Sequence, residues 1–139
     1  MKWLLPIAIT FGVLVLKSDT MAQTGFAEEA LSSGIDHSYS SPFRMGSGAA
    51  IFDFDNDGWE DVYFTGGSQA DALYRNNGNG TFSNVSAAAG IDVTNGKTTA
   101  GVATGDIDND GDRDIFVATW NSYPNILLLN NGNGTFSDI

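Results

Sequence analysis

The chain has 139 residues, 42% of them hydrophobic, enough for one modest domain with a core. Its net charge is −11, with six Lys and Arg and no basic stripe, which argues against nucleic acid as a ligand. It has no cysteine, so disulfides and lipidation at a thiol are both excluded.

The first residues read as a secretory signal. Lys2 supplies the positive end, and Trp3 to Leu16 is apolar apart from Thr10 and the breakers Pro6 and Gly12. Thr20-Met21-Ala22 offers a small-residue cleavage site, so residues 1–22 form the expected signal peptide and Gln23 the mature start. The apolar run is about 14 residues, short of the ~20 that span a bilayer, so no membrane span is expected after cleavage. An uncleaved anchor is the alternative. The expected location is secreted or extracytoplasmic, in a periplasm or at a cell surface.

Residues 26–36 resemble a later part of the same chain. Phe26 is followed eight residues on by Gly34-Ile35-Asp36, as Phe82 is by Gly90-Ile91-Asp92. This is a partial repeat copy. Two fuller copies follow, at residues 48–86 and 101–139, within a repeat region 23–139. Each opens on small residues, Gly48-Ala49-Ala50 and Gly101-Val102-Ala103. Each then carries an acidic loop. Asp53-Phe54-Asp55-Asn56-Asp57-Gly58-Trp59-Glu60-Asp61 recurs as Asp106-Ile107-Asp108-Asn109-Asp110-Gly111-Asp112-Arg113-Asp114.

After the loops, Asp61 to Thr65 alternates, with Val62 and Phe64 on one face and Tyr63 on the other. Ala72 to Arg75 leads into Asn77-Gly78-Asn79-Gly80, a hairpin signal that recurs at Asn131-Gly132-Asn133-Gly134. Thr81 to Val85 is the fourth strand, and Ser86 to Gly90 suits a single helical turn. The two copies are offset by 53 residues at the loops and by 54 at the Asn-Gly hairpins, so one residue is inserted between. Four short strands at a period of about 50 residues describe a β-propeller blade. The expected fold class is all-β: an incomplete β-propeller of about two four-stranded blades plus the partial N-terminal copy.

Ten of the 17 acidic residues fall in the two loops, so the acidity is local and points to a metal. Carboxylates at positions 1, 3, 5 and 9 of a tight loop can converge on one hard cation, and repel one another without it. The expected ligands are Asp53, Asp55, Asp57 and Asp61, and Asp106, Asp108, Asp110 and Asp114. The backbone carbonyls of Trp59 and Asp112, at position 7, would complete each sphere. A helical EF-hand loop needs Glu at position 12, where Phe64 and Val117 stand, so each loop is expected between two strands. Oxygen donors in this number favour Ca²⁺ over Mg²⁺.

At these residues the chain resembles the FG-GAP, VCBS-type repeat family of integrin-α-like β-propellers. The match is clearest from Gly101 to Asp114. In the first copy Phe52 stands where Gly105 stands in the second. The Asn-Asn-Gly-Asn-Gly-Thr-Phe segments and the Gly-Ile-Asp phase resemble the cartilage-acidic-protein-like, ASPIC/UnbV-associated branch. The resemblance implies an extracellular calcium-binding propeller for adhesion or recognition, with no catalysis of its own. It also implies about seven blades. The chain is therefore expected to be part of a longer propeller, with the segment from Phe26 completing the last blade.

Other residues invite a catalytic or binding reading. His37, the single histidine, lies beside Ser38 and Ser40 and reads as a solvated loop residue rather than part of a nucleophilic triad. Glu60 beside Asp61 reads as exposed. Trp59, Trp120 and Tyr123 suit packing between blades, or alternatively a glycan-stacking surface. Asn79, Asn84 and Asn133 fit the glycosylation acceptor pattern, and two of the three also fit hairpin chemistry. The expected function is a non-enzymatic, exported Ca²⁺-binding module with an extracellular protein or glycan as partner. The alternatives are a scaffold within a larger secreted enzyme and a structural spacer.

Overall fold

A computed structural model describes residues 28–41 and 46–139. The signal peptide reading and Phe26 lie outside the described residues. Eight strands form two sheets of four. The first holds β1 (Ala49–Phe52), β2 (Asp61–Phe64), β3 (Ala72–Asn76) and β4 (Phe82–Asn84). The second holds β5 (Thr98–Gly105), β6 (Asp114–Trp120), β7 (Ile126–Asn130) and β8 (Phe136–Asp138). Both are antiparallel meanders in sequence order. A short helix α1 (Ser86–Ala89) and a 3₁₀ turn (Ile91–Thr94) link them. The all-β reading and the partial-propeller architecture are borne out.

The hairpins form where Asn and Gly are placed. The side-chain oxygens of Asn79 and Asn133 each accept the N–H and hydroxyl of the Thr two residues on, which closes the β3–β4 and β7–β8 turns. Asn84 does the same with Ser86 at the start of α1. All three glycosylation-pattern asparagines thus serve local turns.

The inserted residue sits between the second and third strands. Asp71 accepts the N–H of Gly66, five residues back, and Asn125 accepts that of Thr119, six residues back. The second sheet also has a longer first hairpin: β5 begins at Thr98, three residues before the predicted Gly101, and a bulge lies between Thr99 and Gly101.

The core lies between the two sheets and under the linker. Phe52, Phe54, Tyr63 and Leu73 from one side meet Ile115, Val117, Leu128 and Phe136 from the other, with Ala89 and Ile91. Period-2 alternation delivers these side chains, since each sheet turns one face to its neighbour. Gly48 packs so closely on Gly101 and Val102 that a β carbon there would stand 2.8 Å from the Val102 nitrogen. Asp71, buried, joins the sheets by accepting from Tyr63 Oη (2.6 Å) and Thr99 Oγ1 (2.6 Å). Burial and the Asp71 charge push the Tyr63 phenol far up, so it remains a donor.

The segment before β1 lies against the first sheet. The Ser33 carbonyl accepts the Phe82 N–H, and Gly34 approaches the Phe82 carbonyl as Gly90 approaches that of Phe136. His37 is half-buried, its ring stacked on Phe64 with centroids 5.1 Å apart, so the solvated reading is corrected. The offset aromatic contact buries what a polar neighbourhood in sequence suggested would be wet. Trp59, Trp120 and Tyr123 are each about half-exposed, so none of them packs in the core between these two sheets.

Candidate metal centres

Each acidic loop joins the first two strands of its sheet, as the strand periodicity on either side required. Asn56 and Asn109 have φ of 57° and 65°, and Gly58 and Gly111 have φ of 90° and 99°. Glycine takes this left-handed backbone without strain and Asn tolerates it, so the Asp-Asn-Asp-Gly run curls back on its first residue. The Asp53 carboxylate accepts the N–H groups of Asp57 (3.1 Å) and Gly58 (2.8 Å). Asp106 accepts those of Asp110 and Gly111, both at 3.1 Å.

The last carboxylate of each loop is buried and fixed twice. Asp61 accepts the N–H groups of Phe54 (3.0 Å) and Asn76 (2.7 Å). Asp114 accepts those of Ile107 (2.7 Å) and Asn130 (2.9 Å). The loop is thereby tied to its own second strand and to the third.

These bonds gather three carboxylates in each loop. One oxygen each from Asp53, Asp55 and Asp61 lies within 4.8 Å of the others, and the same holds for Asp106, Asp108 and Asp114. Asp57 and Asp110, at position 5, stand outside these sets. One oxygen of each accepts the N–H of Trp59 or Asp112, at 2.9 Å in both loops. The other oxygen of Asp57 meets Arg75 Nη2 at 2.8 Å. The Asp112 side chain accepts from Asn56 Nδ2 at 2.6 Å, which ties loop to loop. Between the loops lies a polar cleft of about 300 Å³, with Asp53, Asn56 and Glu60 on one side and Thr104 and Arg113 on the other.

Arg75 and Asn56 were not singled out by sequence. The available signal was the alignment itself: Arg75 precedes Asn76 where Leu129 precedes Asn130.

The carboxylates feel one another. Burial pushes the Asp61 carboxyl up, against the pull of the Asn76 and Phe54 N–H groups, and the charges of Asp55 and Asp57 add to the push. Partial desolvation and then the Asp110 charge push Asp108 up. Asp57 lies below the ordinary range, because the Trp59 N–H and Arg75 favour its charged form. A carboxyl raised in the folded state binds its proton more tightly folded than unfolded. The destabilisation that Asp61 and Asp108 bring at neutral pH is therefore relieved as pH falls toward 3.8, the unfolded value. The contribution of Asp57 is lost only below 3.8. The expected result, for protein stripped of divalent ions, is a urea midpoint that rises as pH falls from neutral toward that value. A falling midpoint would contradict it.

Residues 53–117 match the FG-GAP-like repeat family. The chain is also 32% identical over 101 residues to cartilage acidic protein 1 of Xenopus tropicalis, covering 70% of this chain. It spans 15% of that protein's length. Among the described residues no helix is long and apolar enough to cross a membrane. The matched segment contains both acidic loops and the strands β2 to β5. Residues 53–117 thus match an FG-GAP-like repeat, in a chain similar to a cartilage acidic protein.

Proposed function

We propose that each acidic loop holds one Ca²⁺, and that the blades serve outside the cytoplasm as a non-catalytic adhesion or recognition module. One observation carries the metal reading. Asp55 Oδ1 is buried and has no hydrogen-bond partner, although it stands among converging carboxylates. A buried acceptor of that kind is costly unless a ligand meets it, and a hard cation suits an all-oxygen set. Asp53, Asp55 and Asp61 would hold the ion in the first loop, and Asp106, Asp108 and Asp114 in the second. Asp57 and Asp110 are close enough in chain to join by rotating from their backbone contacts, and the carbonyls of Trp59 and Asp112 are further oxygen donors. The bound ion would supply charge neutralisation, pinning the first strand of a blade to the second and third. The extracytoplasmic and recognition readings draw on the signal-like N-terminal sequence, the FG-GAP-like family and the name of the relative.

Titration calorimetry of the full chain tests this. Asp57→Ala and Asp110→Ala are each expected to remove about one bound Ca²⁺. Unchanged stoichiometry would show that neither is a ligand. Each site saturated a hundredfold above its Kd would add about 2.7 kcal/mol, so the protein should melt markedly lower in chelator. A melting curve indifferent to chelator would sink the metal reading.

A further inference from the structure

The two loops have the same backbone but different company. In the first, Arg75 on β3 places Nε 2.6 Å from Asp55 Oδ2 and Nη2 2.8 Å from Asp57 Oδ2. Arg75 stands one residue before Asn76, whose N–H fixes Asp61. The equivalent place in the second sheet, one residue before Asn130, is Leu129 on β7, a half-buried apolar residue. Among the described residues no ion pair reaches the second loop.

We propose that Arg75 is a tethered cation that competes with the metal for the first loop, so that the two loops load unequally, the second more tightly. The proposal rests on the reading that both loops bind Ca²⁺.

Three features support competition rather than a permanent strut. The guanidinium contacts oxygens of Asp55 and Asp57, both expected metal ligands, so ion and arginine draw on the same donors. The arginine side chain is 44% exposed and can withdraw its head into water along its flexible stem. Its Nε lies close to Asp55 Oδ2 yet has no hydrogen-bond partner, so that contact is charge attraction without a directional bond. A half-exposed pair of this kind is modest, strong enough to compete yet readily exchanged. It also leaves Asp55 Oδ1 unmet, so the arginine neutralises the loop only in part. A divalent ion entering the loop must displace the guanidinium or sit beside a like charge. Either route weakens binding there and not in the second loop.

The test is Ca²⁺ calorimetry on the full chain, comparing wild type with Arg75→Leu, which copies the second loop, and with Arg75→Gln, which keeps a polar side chain without charge. Wild type should show two unequal sites. Both variants should tighten the weaker site about tenfold, or 1.4 kcal/mol, and leave the stronger site unchanged. Asp110→Ala in wild type should abolish the tighter site, which assigns it to the second loop. In chelator, both Arg75 variants should melt below wild type, since the first loop loses its partial counter-charge. Two equal sites in wild type, or a weaker site untouched by both variants, would overturn the Arg75 proposal and leave the metal reading standing. No Ca²⁺ uptake at either loop would sink both.

Discussion

Asp61→Ala and Asp114→Ala are each expected to lower stability by about 3 kcal/mol or more, even in chelator. The reasoning does not depend on metal. Each carboxylate is buried and accepts two backbone N–H groups from two different segments, the start of its own loop and the end of the third strand. Hydrogen bonds to a charged acceptor contribute roughly 1.5–3 kcal/mol each. Alanine removes both at once and leaves two donors without partners, one buried and one part-buried in each loop, the more costly half of the change. Burying the carboxylate has its own cost, visible in the raised Asp61 carboxyl, and this offsets part of the gain. The net estimate therefore sits at the low end of the sum.

Asp61→Asn and Asp114→Asn provide the internal comparison. An amide keeps one acceptor oxygen but presents a donor where the second N–H points. About half the loss should persist. Urea unfolding of the four variants in chelator checks the series. Equal loss in Ala and Asn variants would show that the negative charge matters more than the acceptor count. Loss under about 1 kcal/mol would show that the loops are held by their turns alone.

The repeat and its strands were legible because their determinants are local. Turn residues mark hairpins through their own backbone preferences, and an acidic loop seen twice in one phase announces one structure used twice. The number and order of the strands, the helical turn at Ser86 and the inserted residue followed from this kind of signal, whereas the early start of β5 did not. The convergence of Asp53, Asp55 and Asp61 followed too, while Asp57, expected with them at position 5, lies outside the set.

What was not legible depends on residues far apart in sequence. Asn130 Nδ2 donates to the Phe54 carbonyl, 76 residues away. Asp71 meets Thr99 on the other sheet, and no spacing announces that pairing. Arg75 reads as an ordinary strand residue until the register of β3 sets it beside Asp55 and Asp57. Tyr63 and Phe116 occupy the same position in their copies, yet one is buried and the other 39% exposed. Pattern fixes which face a side chain takes. It does not say what covers that face.

The same contrast makes the second large prediction. Phe54 and Ile107 both stand at position 2 of an acidic loop, and both loops share their backbone bonds. Phe54 is 3% exposed, with its ring 6.1 Å from that of Phe136 and beside the turn at Gly134, where an added β carbon would stand 3.8 Å from it. Ile107 is 53% exposed. Phe54→Ala opens a cavity between the sheets and should lower stability by about 3–5 kcal/mol. Ile107→Ala removes side chain that is already half in water and should cost under about 0.5 kcal/mol. Thermal and urea unfolding of the two variants, with saturating Ca²⁺ and in chelator, measure the difference. The gap should be the same in both conditions, because packing between sheets supplies it and the ion does not. A gap that closes in chelator would mean that Phe54 acts through the loop it sits in, holding the carboxylates in place. Equal and small losses would mean that the two sheets barely depend on each other. Each sheet would then have to stand on its own core, which four strands of three to eight residues can scarcely supply.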